Sequence, residues 1–493
     1  MRKAFFITAR RSLPALIVLG YCCASARAAE ADDLTAQRSK LHKSFAATLE
    51  KLAVWCDENR LATQATQTRR WAIEREPGKT YVFLLQESAG FPEIPDDAPA
   101  ALAKWRDDFV AARRAQAAAL FRLAQKAATA RRLSLAYELV MEGAREDPLN
   151  KKLRPLLGYK LHKGRWVTSY AAKSLDRGKV DHEKFGWILA ARAKRYEAGE
   201  RYLGRRWRKA DDAAKIMQGD VEKGWTIETE HYKITTNSRW EEGVRLGRKL
   251  ERLHAIWRQV FIGYYAEPSE IEALVRGNKP IRRRPRKHNV VCFRTRKQYN
   301  DFLRSVQPRI GITLGIYFDA RKTAYFFAGE DQDEGTLYHE ATHQLFQEMR
   351  PVPKRIGERN NFWIVEGIAC YMESLTPRGG YFTLGGLKEG RVPAARVRLL
   401  EDGFYVPLAE LVTFGRKDLQ HDKRIAKLYS QSSGLATFLM HHAGGRYRDA
   451  TVSYLERLYT NRADVNTLSK ETGVSYDELD RQYRAFLQGQ GEE

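Results

Sequence analysis

The chain has 493 residues, 43% of them hydrophobic and 30% charged, and this balance excludes a largely disordered or fibrous chain. Its formal net charge of +24 indicates either a basic solvated surface or an acidic partner, such as nucleic acid, an envelope polymer or a membrane surface. Five cysteines are too few for a disulfide-stapled scaffold of this length.

Residues 1–28 have the pattern of a secretory signal peptide. A basic start precedes an apolar stretch from Leu13 to Ala24, and Ala26-Arg27-Ala28 supplies the small residues that a signal peptidase reads. That stretch is short for a membrane span, and no later segment qualifies as one. We therefore expect an exported protein, periplasmic or extracellular, that begins near Ala29 and has no transmembrane segment after cleavage; an uncleaved anchor is the alternative.

Residues 29–215 are predicted to form a mainly helical N-terminal region. The predicted elements, in order, are helical stretches in residues 30–75, a short strand at 80–85, a helix at 100–130, a helical pair within 115–156, a small hairpin or connector at 157–167 and a charged helix at 181–217. The helical pair resembles one tetratricopeptide-type unit, but no fixed period indicates a repeat array. No pattern in this region indicates a particular chemistry.

Residues 216–493 alternate strands and helices before becoming mainly helical. The predicted elements are strands at 232–236, 289–293, 316–318 and 323–328, helices at 240–261 and 297–306, and helices from Glu334 onward. This order predicts an α+β fold, in which a small mixed sheet with helices precedes a helical lobe. The basic run 282–287 lies in a predicted loop, and because no aromatic residues separate its arginines, we do not expect nucleic-acid binding.

The segment Tyr338–Phe346 contains the spacing His-Glu-x-x-His, formed by His339, Glu340 and His343. Residues four apart lie one above the other on a helix face, so both imidazoles can aim at one metal ion. Glu340 then lies on the neighbouring side, where a carboxylate can take a proton from a metal-bound water. The alternative is a pair of ordinary histidines on the surface or in the core.

Glu366 is the candidate third ligand. It is an isolated acid near the start of a predicted apolar helix, between Trp363-Ile364-Val365 and Ile368-Ala369. Burying a carboxylate among such residues costs free energy unless the carboxylate is paired or bound to a metal. A catalytic zinc site needs three protein ligands and an open position for water, and Glu366 completes that set.

These two segments together resemble the gluzincin (peptidase MA-like) metallopeptidases, in which His-Glu-x-x-His is followed some twenty residues later by Trp-x-x-Glu-Gly-x-Ala-x-Tyr. The resemblance covers the chain from Thr226 onward. It implies that His339, His343 and Glu366 bind Zn²⁺ and that Glu340 is the catalytic general base. It also implies that the strand around Thr323–Ala328 is the sheet edge that pairs with the substrate backbone.

The sequence departs from the family pattern around these ligands. Some gluzincins place an aspartate four residues after the glutamate ligand, whereas Cys370 occupies that position here, and we expect Glu373 to be too distant to replace it. Tyr429 resembles the family's catalytic tyrosine in placement, although helix packing also explains it. The alternative oxyanion donors are His421, His441 and His442.

Two classes of function follow from the sequence. The first is an exported zinc metallopeptidase that acts on a peptide or protein substrate. The second is a catalytically inactive zinc-binding scaffold, or a module that interacts with a protein or with an acidic cell-envelope polymer. Activity that depends on Glu340 distinguishes the first class from the second.

Overall fold

A computed structural model of the protein describes residues 15–283, 286–329, 333–353 and 355–489, with side chains from Asp33 onward. The predicted signal peptide at residues 1–28 therefore lies outside the residues whose side chains are described. Within the described part of the chain, none of the helices combines the length and the apolar character that a membrane crossing requires.

Long helices form the N-terminal region, as the spacing predicts. Trp105 and Phe109 are buried four residues apart on one helix and pack against Leu49 and Leu52 of another, because residues at this spacing share a helix face. The elements are α1 (Ala15–Glu58), α2 (Ala62–Trp71), β1 (Lys79–Val82), α3 (Ala100–Thr129), α4 (Leu133–Glu146) and α5 (Leu153–Leu156).

Three hairpins follow, each succeeded by a short helix, where the sequence predicted one hairpin and then one helix at 181–217. They are β2 (Tyr159–His162), β3 (Arg165–Thr168), α6 (Ser169–Asp176), β4 (Lys179–His182), β5 (Gly186–Leu189), α7 (Ala193–Glu197), β6 (Glu200–Leu203), β7 (Arg206–Lys209) and α8 (Ala210–Met217). The first hairpin confirms the predicted hairpin or connector at 157–167. The prediction of one charged helix at 181–217 is wrong.

The chain forms hairpins here because glycines end the short helices between them. Gly158, Gly178 and Gly199 each have a positive φ and each lie two residues after a helix end, where the left-handed conformation stops the helix. A tryptophan follows at the second residue of each returning strand, at Trp166, Trp187 and Trp207. The region is therefore a short repeat with a period of about 20 residues. The prediction of one long charged helix overlooked this repeat.

A five-stranded mixed sheet forms the next layer. Its elements are β8 (Trp225–Glu228), β9 (Tyr232–Thr236), α9 (Trp240–Val260), α10 (Ile262–Tyr265), α11 (Pro268–Val275), β10 (His288–Phe293), α12 (Arg296–Leu303), β11 (Ile316–Phe318) and β12 (Thr323–Phe327). The strand order is β11-β12-β10-β9-β8, with β9, β10 and β12 parallel and the two outer strands antiparallel.

The prediction that the strand around Thr323–Ala328 is the edge of the sheet is wrong, because one further strand lies outside it. β12 lies inside the sheet between β10 and β11, and all five of its residues are buried. The half-buried β11 forms the edge instead. The continuous apolar run of β12 is typical of a strand covered on both faces, which is the physical reason that it cannot be the exposed edge.

The remaining residues form a helical lobe with a small sheet. The elements are α13 (Glu334–Glu348), α14 (Phe362–Met372), β13 (Thr376–Arg378), β14 (Tyr381–Gly385), α15 (Val392–Leu400), α16 (Leu408–Leu411), α17 (Arg416–His421), α18 (Ile425–Gly445), α19 (Arg448–Tyr459), α20 (Thr467–Thr472) and α21 (Tyr476–Gln488). The overall class is α+β. One hydrophobic core runs from Leu34 to Leu487, and β1 pairs with β14, so residues on both sides of the predicted boundary at 215/216 pack together.

Candidate metal centre

α13 carries both histidines of the His-Glu-x-x-His segment. The Asp333 side chain accepts a hydrogen bond from the Thr336 backbone N–H and so caps the start of the helix. Leu337, Ala341 and Leu345 are buried and hold one face of α13 against the core. His339 and His343 consequently project from the same side of the helix, one turn apart, with their ring centroids 4.8 Å from each other.

α14 brings Glu366 to these histidines. Every residue of α14 is buried, as its apolar sequence requires, and Glu366 is only 6% exposed. The helix follows Asn361, which has a left-handed backbone and is fixed because its side-chain oxygen accepts a hydrogen bond from the Tyr454 hydroxyl. Gly367 lies against α18, where a Cβ would come within 2.7 Å of the Ser432 carbonyl oxygen, so only glycine permits this close approach.

Three potential ligand atoms form a nearly equilateral triangle. The His339 and His343 Nε2 atoms are 3.1 Å apart, and the Glu366 Oε2 atom lies 3.4 Å from the first and 3.5 Å from the second. Three ligands bound tetrahedrally at the usual zinc distances of about 2.0–2.1 Å would be separated by about 3.3–3.4 Å. The donor set and its spacing therefore fit a zinc ion.

Glu373 orients His339 from the opposite side of its ring. The His339 Nδ1 and Glu373 Oε1 atoms are 2.8 Å apart, and Arg391 donates to both oxygens of the same carboxylate at 2.7 and 2.8 Å. The expectation that Glu373 is too distant is therefore wrong. Glu373 lies two turns after Glu366 on the same helix face, and the imidazole of His339 spans the gap because its two nitrogens point in different directions.

Cys370 lies beside the same nitrogen. Its Sγ atom is 3.9 Å from His339 Nδ1, and burial raises the pKa of the Cys370 thiol. The Nδ1 side thus offers a carboxylate and a protonated thiol, while the Nε2 side faces the two other ligand atoms. A carboxylate–histidine pair of this kind fixes the tautomer that leaves Nε2 free to bind a metal.

Glu340 is held against the edge of the sheet. The Tyr317 backbone N–H on β11 donates to Glu340 Oε2 at 2.8 Å, so the second carboxylate oxygen remains available to a proton donor. Burial raises the pKa of Glu340, and the positive charge of His339 and His343 opposes that shift. Glu340 follows the candidate ligand His339 in sequence, and its carboxylate contacts the edge strand β11.

Tyr429 faces the same centre from α18. Burial raises the pKa of its hydroxyl, and the negative charge of Glu366 raises it further. The alternative donors are engaged elsewhere: His441 Nε2 lies 3.0 Å from the Tyr371 hydroxyl, and His442 stacks on Tyr447. His421, at the end of α17, is exposed. Of the four candidates, Tyr429 is the one whose electrostatic partners include a proposed ligand.

The negative charge of Glu366 and the two histidines at the centre influence each other's pKa. Burial alone would raise the pKa of Glu366, but the positive charges of His343 and His339 and their hydrogen bonds lower it below its usual range. Burial lowers the pKa of His339, but hydrogen bonds with Cys370, Glu366 and Glu373 outweigh burial and raise it. Glu366 is thus ionised, as a metal-binding carboxylate must be, whereas His339 has to release its proton before it can bind a metal.

Comparison with known proteins gives no relative for this chain: no family model matches it, and neither the curated proteins nor the solved structures gave a match. The gluzincin resemblance therefore stays a prediction that rests on the residues of α13 and α14.

Proposed function

We propose that this chain is a zinc metallopeptidase of the gluzincin type, with His339, His343 and Glu366 as ligands. The observation that carries the proposal is the triangle formed by the three candidate ligand atoms, with sides of 3.1, 3.4 and 3.5 Å. Two of these atoms belong to α13 and the third to α14. Zinc bound there would lower the pKa of a water molecule and polarise the scissile carbonyl.

The protein's own residues perform the remaining steps. Glu340 accepts the proton of the attacking water and passes it to the leaving amine. The hydrogen bond from the Tyr317 N–H holds Glu340 Oε2, so the other oxygen moves the proton. The Tyr429 hydroxyl donates to the oxyanion that forms at the carbonyl. The substrate backbone pairs with β11 rather than β12, because β11 is the edge of the sheet.

The decisive test separates metal binding from turnover. We expect Glu340→Gln to retain the zinc content of the unmodified protein and to lower kcat for a peptide substrate by about 10²–10⁴-fold, the usual contribution of a general base. Glutamine keeps an oxygen that accepts from Tyr317, so the edge strand stays in place. His343→Ala is expected to lose both zinc and activity.

Two outcomes contradict the proposal. Peptide cleavage that survives both substitutions would exclude this centre as its source. A full zinc complement with no cleavage of any peptide in a broad library, and no effect of Glu340→Gln, would instead favour the inactive zinc-binding scaffold. The peptide library is screened by mass spectrometry, because nothing in the sequence selects a cleavage preference.

A further inference from the structure

One large cavity lies apart from the candidate metal centre. It has a volume of about 1430 Å³, and its wall includes residues of the first hairpin, α6, α9, α10 and the loop at 280–286. None of the three proposed zinc ligands lines it. Pockets for small organic ligands commonly measure about 300–1000 Å³, so the cavity has room for such a ligand.

Basic side chains form a large part of the cavity wall. They belong to β2, α6, α9 and the basic run 282–287, and they include Lys160, Lys173, Arg258, Arg282, Arg283 and Arg286. The basic run that the sequence places in a loop therefore borders this cavity. Because the other three cations come from separate elements, the fold and not one stretch of sequence brings the positive charges together.

Two acidic residues of the same wall are neutralised by neighbouring cations. Glu348 pairs with His288 at 2.8 Å. Glu456 pairs with Arg350 at 2.7 Å and with Arg462 at 2.5 Å. These carboxylates therefore offer no free negative charge to the cations of α6, α9 and β2.

The three remaining acidic residues of the wall are also engaged or weakened. The Asp449 carboxylate accepts from the Ser134 backbone N–H at 2.9 Å, and Glu267 forms a capping box with Glu270 at the start of α11. Burial raises the pKa of Glu230, which disfavours its charged form. The wall consequently presents more unpaired positive charge than negative charge.

Arg258 is the observation that points to an anionic ligand. It is half-buried on α9, and its Nε donates to the Tyr265 hydroxyl at 3.3 Å, while its guanidinium carbon lies 5.1 Å from the centre of the Tyr265 ring. Within the described residues it forms no ion pair with a carboxylate. Its two terminal amino groups are thus available to a ligand, and a carboxylate or phosphate can accept two guanidinium N–H bonds in parallel.

The neighbouring cations reinforce this charge. Lys160 and Lys173 form no ion pair in the part of the chain that the structure describes, and Arg286 donates there only to the Glu348 backbone carbonyl, at 3.4 Å. Arg283 differs, because it pairs with Glu270 at 2.6 Å. The wall therefore combines one half-buried guanidinium with more exposed cations, which attract an anion from solvent.

We propose that this cavity binds an organic anion whose carboxylate or phosphate group is held by Arg258. Tyr159, Tyr265 and Ile281 also line the cavity and contact the apolar part of the ligand. Lys160 and Lys173 add attraction at longer range. The site shares no residue with the candidate metal centre and is independent of the proposed peptidase activity.

The test compares charged and neutral ligands of one shape. The full chain is titrated by isothermal titration calorimetry with naphthyl phosphate, naphthoate and the neutral naphthol, each as the same ring isomer. At least one of the two anions is expected to bind about 10-fold more tightly than naphthol, since only an anion compensates the charge of Arg258. The tighter of the two identifies the charged group. Added salt should weaken the binding of the anion but not that of naphthol.

Arg258→Gln is expected to weaken binding of the anion about 10–100-fold, the usual effect of losing a charged hydrogen-bond donor. Arg252→Gln is the matched control, because Arg252 is exposed on the same helix and lies outside the cavity wall. The double variant Lys160→Gln/Lys173→Gln changes two exposed residues and is expected to weaken binding about 2–10-fold without affecting the fold.

Three outcomes overturn the proposal. The first is that neither anion binds, and the second is that naphthol binds as tightly as the anions. The third is that Arg252→Gln weakens binding as much as Arg258→Gln does. If Arg258→Gln does not fold, the double lysine variant decides, and an unchanged affinity in that variant overturns the proposal.

Discussion

At the scale of single residues, Glu373 shows what a sequence motif leaves out. The proposed ligands could be selected from the sequence because His-Glu-x-x-His and Trp-x-x-Glu-Gly give their identity and spacing. Glu373 could not, because its distance from His339 depends on how α13 and α14 cross, and no pattern along either helix encodes a crossing. An acid two turns after a ligand on the same helix face was the signal that could have identified it.

We expect Glu373→Gln to lower zinc affinity about 10–100-fold without unfolding the protein. The substitution removes the negative charge that Arg391 and His339 share, and the loss of such a partner typically weakens metal binding by this factor. Affinity is measured by competition with a chromophoric chelator. Glu389→Gln is the control, since Glu389 lies in the same lobe as Glu373 but pairs with Lys79 of β1. Equal affinities for the two variants would show that Glu373 does not position His339.

His441 is expected to make the protein less stable in mild acid. Burial lowers the pKa of His441 to about 3, whereas the unfolded residue has a pKa near 6.5. Between these two pKa values, His441 binds a proton in the unfolded state but not in the folded state. The free energy of unfolding is therefore highest with respect to this group above about pH 6.5 and falls as the pH drops toward 3. Between pH 6.5 and 4.5 the loss is about 2–3 kcal/mol.

Urea unfolding at the two pH values measures this loss. His441→Gln removes the titrating group and keeps an oxygen that accepts from the Tyr371 hydroxyl, so its stability should change less between pH 6.5 and 4.5 than that of the unmodified chain. His421→Gln, at an exposed position, should follow the unmodified chain. An unchanged pH dependence in His441→Gln would refute the assignment.

Among the helices and strands, the predictions were accurate where the sequence pattern was local. α9 was predicted at 240–261 and runs from Trp240 to Val260, and the strands at 232–236 and 316–318 were predicted to the residue, since amphipathic spacing and short apolar runs are local. The hairpins at 179–209 were missed because lysine, arginine and alanine favour helices, and the prediction gave too little weight to the four glycines at positions 178, 186, 199 and 204.

Gly367 is expected to set the distance between α14 and α18. We expect Gly367→Ala to destabilise the protein by about 1–3 kcal/mol, because its Cβ would meet the Ser432 carbonyl oxygen and force the helices apart. Zinc affinity should fall as well, since Glu366 is the preceding residue. Urea unfolding and zinc titration check the two effects. Gly219→Ala is the control, since a Cβ at Gly219 meets nothing within 4 Å; equal stability of both variants would contradict the prediction.

In the complete chain, the N-terminal region packs against the helical lobe that carries the candidate metal centre. Glu138 of α4 forms a buried ion pair with Arg448 of α19 at 3.1 Å, and the Asp449 carboxylate accepts from the Ser134 N–H at 2.9 Å. The sequence did not indicate this association, because contacts between residues some 300 positions apart leave no periodic trace in either segment.

We expect a fragment of residues 216–493 to lack a cooperative thermal transition. Its α10, α11 and α19 would lose the apolar cover of α3 and α4, Arg448 would lose Glu138, and unpairing a buried charge alone costs about 3–5 kcal/mol. Calorimetry of the fragment and of the full chain makes the comparison. A fragment that unfolds cooperatively within a few degrees of the full chain would show that the two regions are separable.

The pairing of β1 with β14 constrains the order of events during synthesis. Thr80 and its partner Leu384 are made about 300 residues apart, and at usual elongation rates of about 5–20 residues per second the first strand waits on the order of 15–60 seconds for the second. Tyr81, Val82 and Phe83, all buried in the finished protein, lack the cover of β14 throughout that interval. The nascent chain therefore presents an apolar strand to chaperones well before its partner strand leaves the ribosome.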